Sequence, residues 1–184
     1  MSAVAKRGVP VGPFPPGVDN DAYDRMRRRV LWKLPSGLYV LGSRCGERRN
    51  LMAINWAMQV SVDPKLLAVA IEGTAVTHEL VMSGRCFTLS LVSREQRSQV
   101  RRFVKPAVED LDAGTLSGVG YRDGLSGAPI PALAIAWLDC EVRHVLATGS
   151  HTLFVGEVVD AGFADGGEDV EVLRMEDTAM SYGG

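Results

Sequence analysis

The residues of this chain that could do chemistry are mostly amides, hydroxyls and rings. They concentrate in Asn50-Leu-Met-Ala-Ile-Asn-Trp56, in Ser61-Val-Asp-Pro64 and in Thr74-Ala-Val-Thr77, with His151 farther on. Asn50 and Asn55 stand among apolar neighbours, where an amide serves either a polar-edged ligand or backbone groups at a turn or strand edge. Trp56 can lie against a ring system or fill core. Such a set binds and orients rather than attacks. The usual signatures of attack or of phosphate loops are missing: there is no Gly-x-Ser-x-Gly, no His-Glu-x-x-His and no loop ending in Gly-Lys-Ser/Thr. The nearest glycine run, Gly114 to Gly124, lacks the spacing of a dinucleotide-binding turn. A histidine–nucleophile pair stays open, with nothing in the sequence to support it.

Metal and thiol chemistry fare no better. Cys45, Cys86 and Cys140 are far apart with no Cys-x-x-Cys, and three histidines show no zinc spacing, so no metal site is expected. Buried or unreactive thiols in a reducing compartment are the expectation. The net charge of −2 comes from 20 basic and 22 acidic residues, which lacks the positive field of a nucleic-acid binder. Arg25, Arg27, Arg28 and Arg29 follow Asp19, Asp21 and Asp24, so even that cluster is largely cancelled.

The elements that must position these residues follow from pattern. At 184 residues and 46% hydrophobic content the chain supports one domain burying roughly 70% of its unfolded surface. The longest apolar run, Ala132 to Leu138, is too short to span a bilayer. Residues 1–18 form a proline-rich arm with no apolar leader, so a cytoplasmic protein is expected, with residues 19–184 as its single domain. Asp19 to Lys33 reads as a capped helix stopped by Pro35-Ser36-Gly37. Leu38 to Gly42 reads as a strand, Arg44 to Arg49 as its turn, and Met58, Val60 and Val62 as the alternation of a half-buried strand. Leu66 to Ile71 is a buried strand, and Glu72-Gly73-Thr74 opens a helix ending at Gly84, with Val76 and Leu80 inward. Cys86 to Val92 is a strand and Arg94 to Val104 a helix. Glu109 to Pro131 reads as loop. Ala132 to Leu146 and Thr152 to Phe163 form a hairpin through Ala147–His151, and Val170 to Met175 suits one more strand. Strands outnumber helices and neighbours are joined by short turns. A mainly β architecture follows, an antiparallel sheet closed or nearly closed and flanked by helices.

With these pieces in order, the chain resembles the flavin reductase-like family of FMN-binding split barrels, most closely the flavoredoxin type. The resemblance rests on Gly42-Ser43-Arg44, Asn50, Met52, Trp56, Ser61, Pro64 and Thr77 at matching intervals, then Gly149-Ser150-His151, Gly156 and Val158, and runs from about Leu31 to Val159. It implies a Greek-key split β-barrel, a homodimer, and FMN near the subunit interface, with FAD less expected. It implies cofactor contacts at Asn50, Met52, Ala53, Asn55, Trp56, Ser61, Thr77 and His151. Lys105 is a looser match to a family lysine, and Tyr182 is the candidate for a ring that covers the flavin. Ser150 stands where relatives carry an acid.

A helix beginning at Thr74 would aim the N–H groups of Ala75, Val76 and Thr77 at the FMN phosphate. The resemblance implies an NAD(P)H-dependent flavin reductase supplying reduced flavin or electrons to a partner such as a monooxygenase, with no side chain required as a general base. Two other readings are an FMN electron carrier without its own NADH or NADPH site, and a non-catalytic split-barrel binding module.

Overall fold

The computed structural model describes residues 9–178. Helix α1 (Asn20–Leu31) starts where Asp19 accepts a hydrogen bond from the Ala22 N–H at 2.9 Å, satisfying one of the donors a helix start leaves free. Arg28 and Arg29 sit in its last turn, at the negative end of the dipole. Asp24 pairs with Arg27 at 2.7 Å and Arg28 at 3.3 Å. Arg27 also reaches the carbonyls of Val11 and Pro13, which lays the described part of the arm against α1.

The frame is one antiparallel sheet of seven strands: β1 (Tyr39–Cys45), β2 (Arg48–Ile54), β3 (Ala57–Val62), β4 (Lys65–Glu72), β5 (Cys86–Val92), and two later long strands, numbered β10 (Ala134–Ala147) and β11 (His151–Phe163). Their order is β2-β1-β5-β10-β11-β4-β3. The two edges, β2 and β3, are consecutive in the chain, joined through Asn55 and Trp56, yet they do not pair with each other. That opening is the split of the barrel.

Side chains alternate across these strands, so β1 feeds two cores. Leu41 joins Val69, Ile71, Val81, Phe87, Leu89 and Phe154 on one side; Val40 joins Leu51, Val92, Val100, Phe103, Leu116 and Leu173 on the other. Each such buried side chain contributes roughly 1.5–3 kcal/mol. Gly42 must be glycine because a Cβ there would lie 1.9 Å from the Pro129 carbonyl oxygen. No helix among the described residues is long and apolar enough to cross a membrane.

Four expectations are corrected. Residues 109–131 are a small four-stranded sheet, β6 (Glu109–Asp110), β7 (Thr115–Leu116), β8 (Val119–Asp123) and β9 (Pro129–Pro131), rather than loop. Its strands are two to five residues long and too short to display alternation. Val170 to Met175 makes only isolated bridges, Ser93 with Val172 and Gly37 with Arg174. Its apolar character serves Leu173, which is fully buried and clipped to Leu38 and Val92 by backbone hydrogen bonds of 3.0 and 2.9 Å. Arg94 to Val104 is one turn of α-helix, α3 (Arg97–Val100), between two 3-10 turns; only Val100 and Phe103 are buried there. Helix α2 (Val76–Gly84) begins two residues after Thr74, with Ala75 as its cap, and its buried side is Leu80, as expected, with Thr77 and Val81 in place of the half-buried Val76.

Candidate functional site

Strand β4 ends at Glu72, and the chain turns into α2 through Gly73-Thr74-Ala75. The Ala75 N–H is consumed by the Glu72 carbonyl at 3.0 Å, while the N–H groups of Val76 and Thr77 have no acceptor among the described residues. Helix geometry leaves such first-turn donors free and gives them a partial positive charge. Thr77 is 1% exposed, and its Oγ1 accepts a 2.7 Å hydrogen bond from Asn50 Nδ2. A hydroxyl that accepts from an amide has its own proton left to donate elsewhere. Asn50 Oδ1 in turn accepts the Ala107 N–H at 2.7 Å. One buried amide therefore ties β2, the first turn of α2, and the segment that carries Lys105.

The same face of β2 carries Arg48, two residues before Asn50. It pairs with Glu79 of α2 at 2.5 Å, which holds the Glu79 carboxyl below the usual carboxylate range.

The second group gathers where the barrel is split. His151 opens β11 opposite Glu72, and the Gly73 N–H donates to the Ser150 carbonyl at 2.9 Å. The His151 ring lies 4.7 Å from the Trp56 ring, centroid to centroid, at an interplanar angle of 51°. Its Nδ1 is 2.8 Å from the Ser150 hydroxyl, while its Nε2 is buried with no hydrogen-bond partner among the described residues. Burial pushes this imidazole's pKa down, with the Glu72 charge pulling weakly the other way. The next residue, Thr152, has its hydroxyl 2.8 Å from His78 Nε2, and His78 sits edge-on to Phe154 at 5.4 Å. The hairpin arm that carries His151 is thereby fastened to α2, which begins four residues after Glu72.

Other expected site residues are less concentrated. Met52 packs against the barrel core and Ala53 against the second core, so adjacent positions on β2 send their side chains to opposite faces. Asn55 is buried and turned toward Ser36, with 3.5 Å between Nδ2 and Oγ, at the long limit of a hydrogen bond. Ser61 is half-buried on β3, at a bulge, its carbonyl accepting from Gln59 Nε2 at 3.0 Å. Lys105 is exposed, two residues before the Ala107 amide that Asn50 holds. Tyr182 lies outside the described residues. Glu72, His78, Ala107, Ser150 and Thr152 complete the constellation. Of these, sequence alone signalled only Ser150, through its place before His151.

Cys86 and Cys140 are buried thiols, and desolvation pushes Cys140 up to about 12. Among the described residues no group of three His, Cys, Asp or Glu could hold a metal.

A flavin mononucleotide asks for donors around a phosphate, a surface for its ring, and a polar group at the ring's edge. The free α2 amides with the Thr77 hydroxyl, the Trp56 face and the unpartnered His151 Nε2 fit those three needs.

The model of the flavin reductase-like domain matches residues 31–180, and the chain belongs to that family. An NADH-dependent FAD reductase of Streptomyces globisporus is 32% identical over 152 residues, 80% of this chain and 81% of that protein. A high molecular weight rubredoxin of Moorella thermoacetica is 31% identical over 147 residues; the match takes in 78% of this chain but only 62% of that protein's length. The reductase subunit of a stachydrine N-demethylase from Rhizobium meliloti is 25% identical over 174 residues, 89% of this chain and 74% of that subunit. Among solved structures, an FMN-binding protein from Thermus thermophilus superposes with a TM-score of 0.66 at 27% identity, covering 88% of this chain and 83% of that one.

Proposed function

We propose that this chain is an NAD(P)H-dependent flavin reductase holding FMN, with the phosphate at the first turn of α2 and the ring against Trp56 and His151. The observation that carries the reading is the Asn50–Thr77 hydrogen bond beside the free amides of Val76 and Thr77. A phosphate bears close to two negative charges at neutral pH and takes several donors, and a helix N-terminus supplies them without a glycine-rich loop. One terminus with donors for one terminal phosphate favours FMN over FAD. The flavin supplies the hydride-accepting chemistry when bound. The chain's own residues hold the phosphate, present the ring to Trp56, and set one imidazole nitrogen at its edge. Lys105, carried by the segment that Asn50 anchors, adds positive charge on the phosphate side.

Edge strand β3 supports a homodimer. Met58, Val60 and Val62 on it are 65%, 46% and 76% exposed, and Trp56 beside it is 37% exposed. An unpaired apolar edge of this kind is normally covered. The Rhizobium relative is named as a reductase subunit of a demethylase, which supports an oxygenase as the acceptor of reduced flavin here too. Three free thiols and the absence of a long apolar helix among the described residues are compatible with a cytoplasmic protein of one domain after a short arm.

The test is oxidation of NADH and of NADPH by the purified protein with FMN, FAD or riboflavin as acceptor. Turnover with FMN at either nucleotide supports the reading. A protein that takes up flavin yet oxidises neither nucleotide would contradict it.

A further inference from the structure

Ser150 stands where the resemblance to the family implies an acid, and it contacts His151 directly. The Ser150 hydroxyl is 2.8 Å from His151 Nδ1, and Ser150 itself is exposed while the His151 ring is half-buried. The ring is bounded by Trp56 on one face and by Glu72 across the β4–β11 pairing. Its Nε2 is buried and unpartnered among the described residues. A buried polar atom without a partner is costly and is normally explained by a missing one.

We propose that Ser150 is a positioning residue for His151: its hydroxyl donates to Nδ1, which fixes the Nε2–H tautomer and presents that N–H to the acceptor edge of the flavin ring as a neutral donor. The assignment rests on the flavin reading for the identity of the acceptor. It does not rest on it for the direction of the Ser150–His151 bond: a hydroxyl can donate to Nδ1 or accept from it, and here it is assigned as the donor. The hydrogen bond made by one imidazole nitrogen decides which nitrogen carries the proton.

Among the described residues the titratable group facing the ring is Glu72, whose charge favours the protonated imidazole, while His78 is engaged by Thr152, whose side chain leaves β11 on the other face. Burial opposes protonation. A hydroxyl at Nδ1 adds no charge, so the imidazole stays neutral where an acid in its place would stabilise imidazolium. The chain thus offers its flavin edge an uncharged donor.

The experiment is nitrogen NMR of histidine-labelled protein across pH, on wild type, Ser150→Ala and Ser150→Asp, with His151→Gln to assign the signals and a melting curve to confirm folding. The wild type should show one Nε2–H tautomer. Ser150→Ala should lose that single form to a mixture. Ser150→Asp should raise the His151 midpoint by roughly 1–3 pH units, the usual effect of an adjacent opposite charge. A Ser150→Ala protein with the same tautomer, or a Ser150→Asp protein with the same midpoint, would overturn the proposal. FMN binding is measured on the same samples. If the wild type binds no flavin, the function reading fails while the tautomer and midpoint still decide the role of Ser150.

Discussion

The two ends of the site are built differently. At the start of α2, Asn50 and Thr77 are 3% and 1% exposed, and Asn50 spends both ends of its amide within the protein. At the barrel split, Trp56 is 37% exposed and His151 keeps one nitrogen open. The first end is complete before any ligand arrives, so binding there has little side-chain freedom left to lose. The second is finished only by what comes to it, whether ring or partner subunit. On the proposed reading, specificity for the phosphate belongs to the closed end, and the ring and its redox partner meet the open one.

The comparison breaks first, and hardest, at Thr77. Replacing it with Val removes a hydroxyl donor to a charged group, worth about 1.5–3 kcal/mol, so FMN affinity should fall roughly ten- to a hundredfold. Riboflavin, which lacks the phosphate, should lose little. Isothermal titration with the two ligands checks this. The same change leaves Asn50 Nδ2 buried without its acceptor, so a melting curve should show about 1 kcal/mol of lost stability as well.

Asn50→Ala should cost stability even without ligand. It strips the Ala107 N–H of its acceptor and removes the bond to Thr77, a loss of about 2 kcal/mol by urea unfolding. The matching truncation at the open end, Trp56→Ala, removes the ring contact with His151 and should cost about 0.5–1.5 kcal/mol in unfolding. It should weaken FMN and riboflavin equally by about 0.5–1.5 kcal/mol, the range of an aromatic pair. Unequal losses would move the phosphate to the wrong end.

The smallest effect is the pH dependence of stability from His151. Its folded pKa lies below the unfolded value near 6.5, so the unfolded state binds more protons between the two. Stability from this group is full above the unfolded pKa and is lost as pH falls through it toward the folded value. His151→Gln should flatten that slope in unfolding measured from mildly acid to neutral pH.

Much of the closed end was legible because it depends on local spacing. The buried strand, the turn after Glu72 and the helix holding Thr77 are all read from period and punctuation within twenty residues of each other. What the amide of Asn50 does was not legible. Its partners lie 27 and 57 residues away, and no pattern announces a contact at that separation. The small sheet from 109 to 131 hides for a different reason: Gly114 and Gly118 take positive φ between strands of two to five residues, too short to alternate. Val170 to Met175 misleads in the opposite sense, since one buried leucine and two single bridges need the same apolar residues as a strand. Met52 and Ala53 carry a plainer lesson. Neighbours on a strand point apart, so Met52 and Ala53 send their side chains to different cores.

The most direct test of the closed end as the phosphate site is the behaviour of two amides. In a nitrogen–proton NMR titration, FMN should move the backbone signals of Val76 and Thr77 strongly downfield, and riboflavin should leave them nearly where they began. Amides that stay still with FMN, or that respond equally to both ligands, would contradict the account.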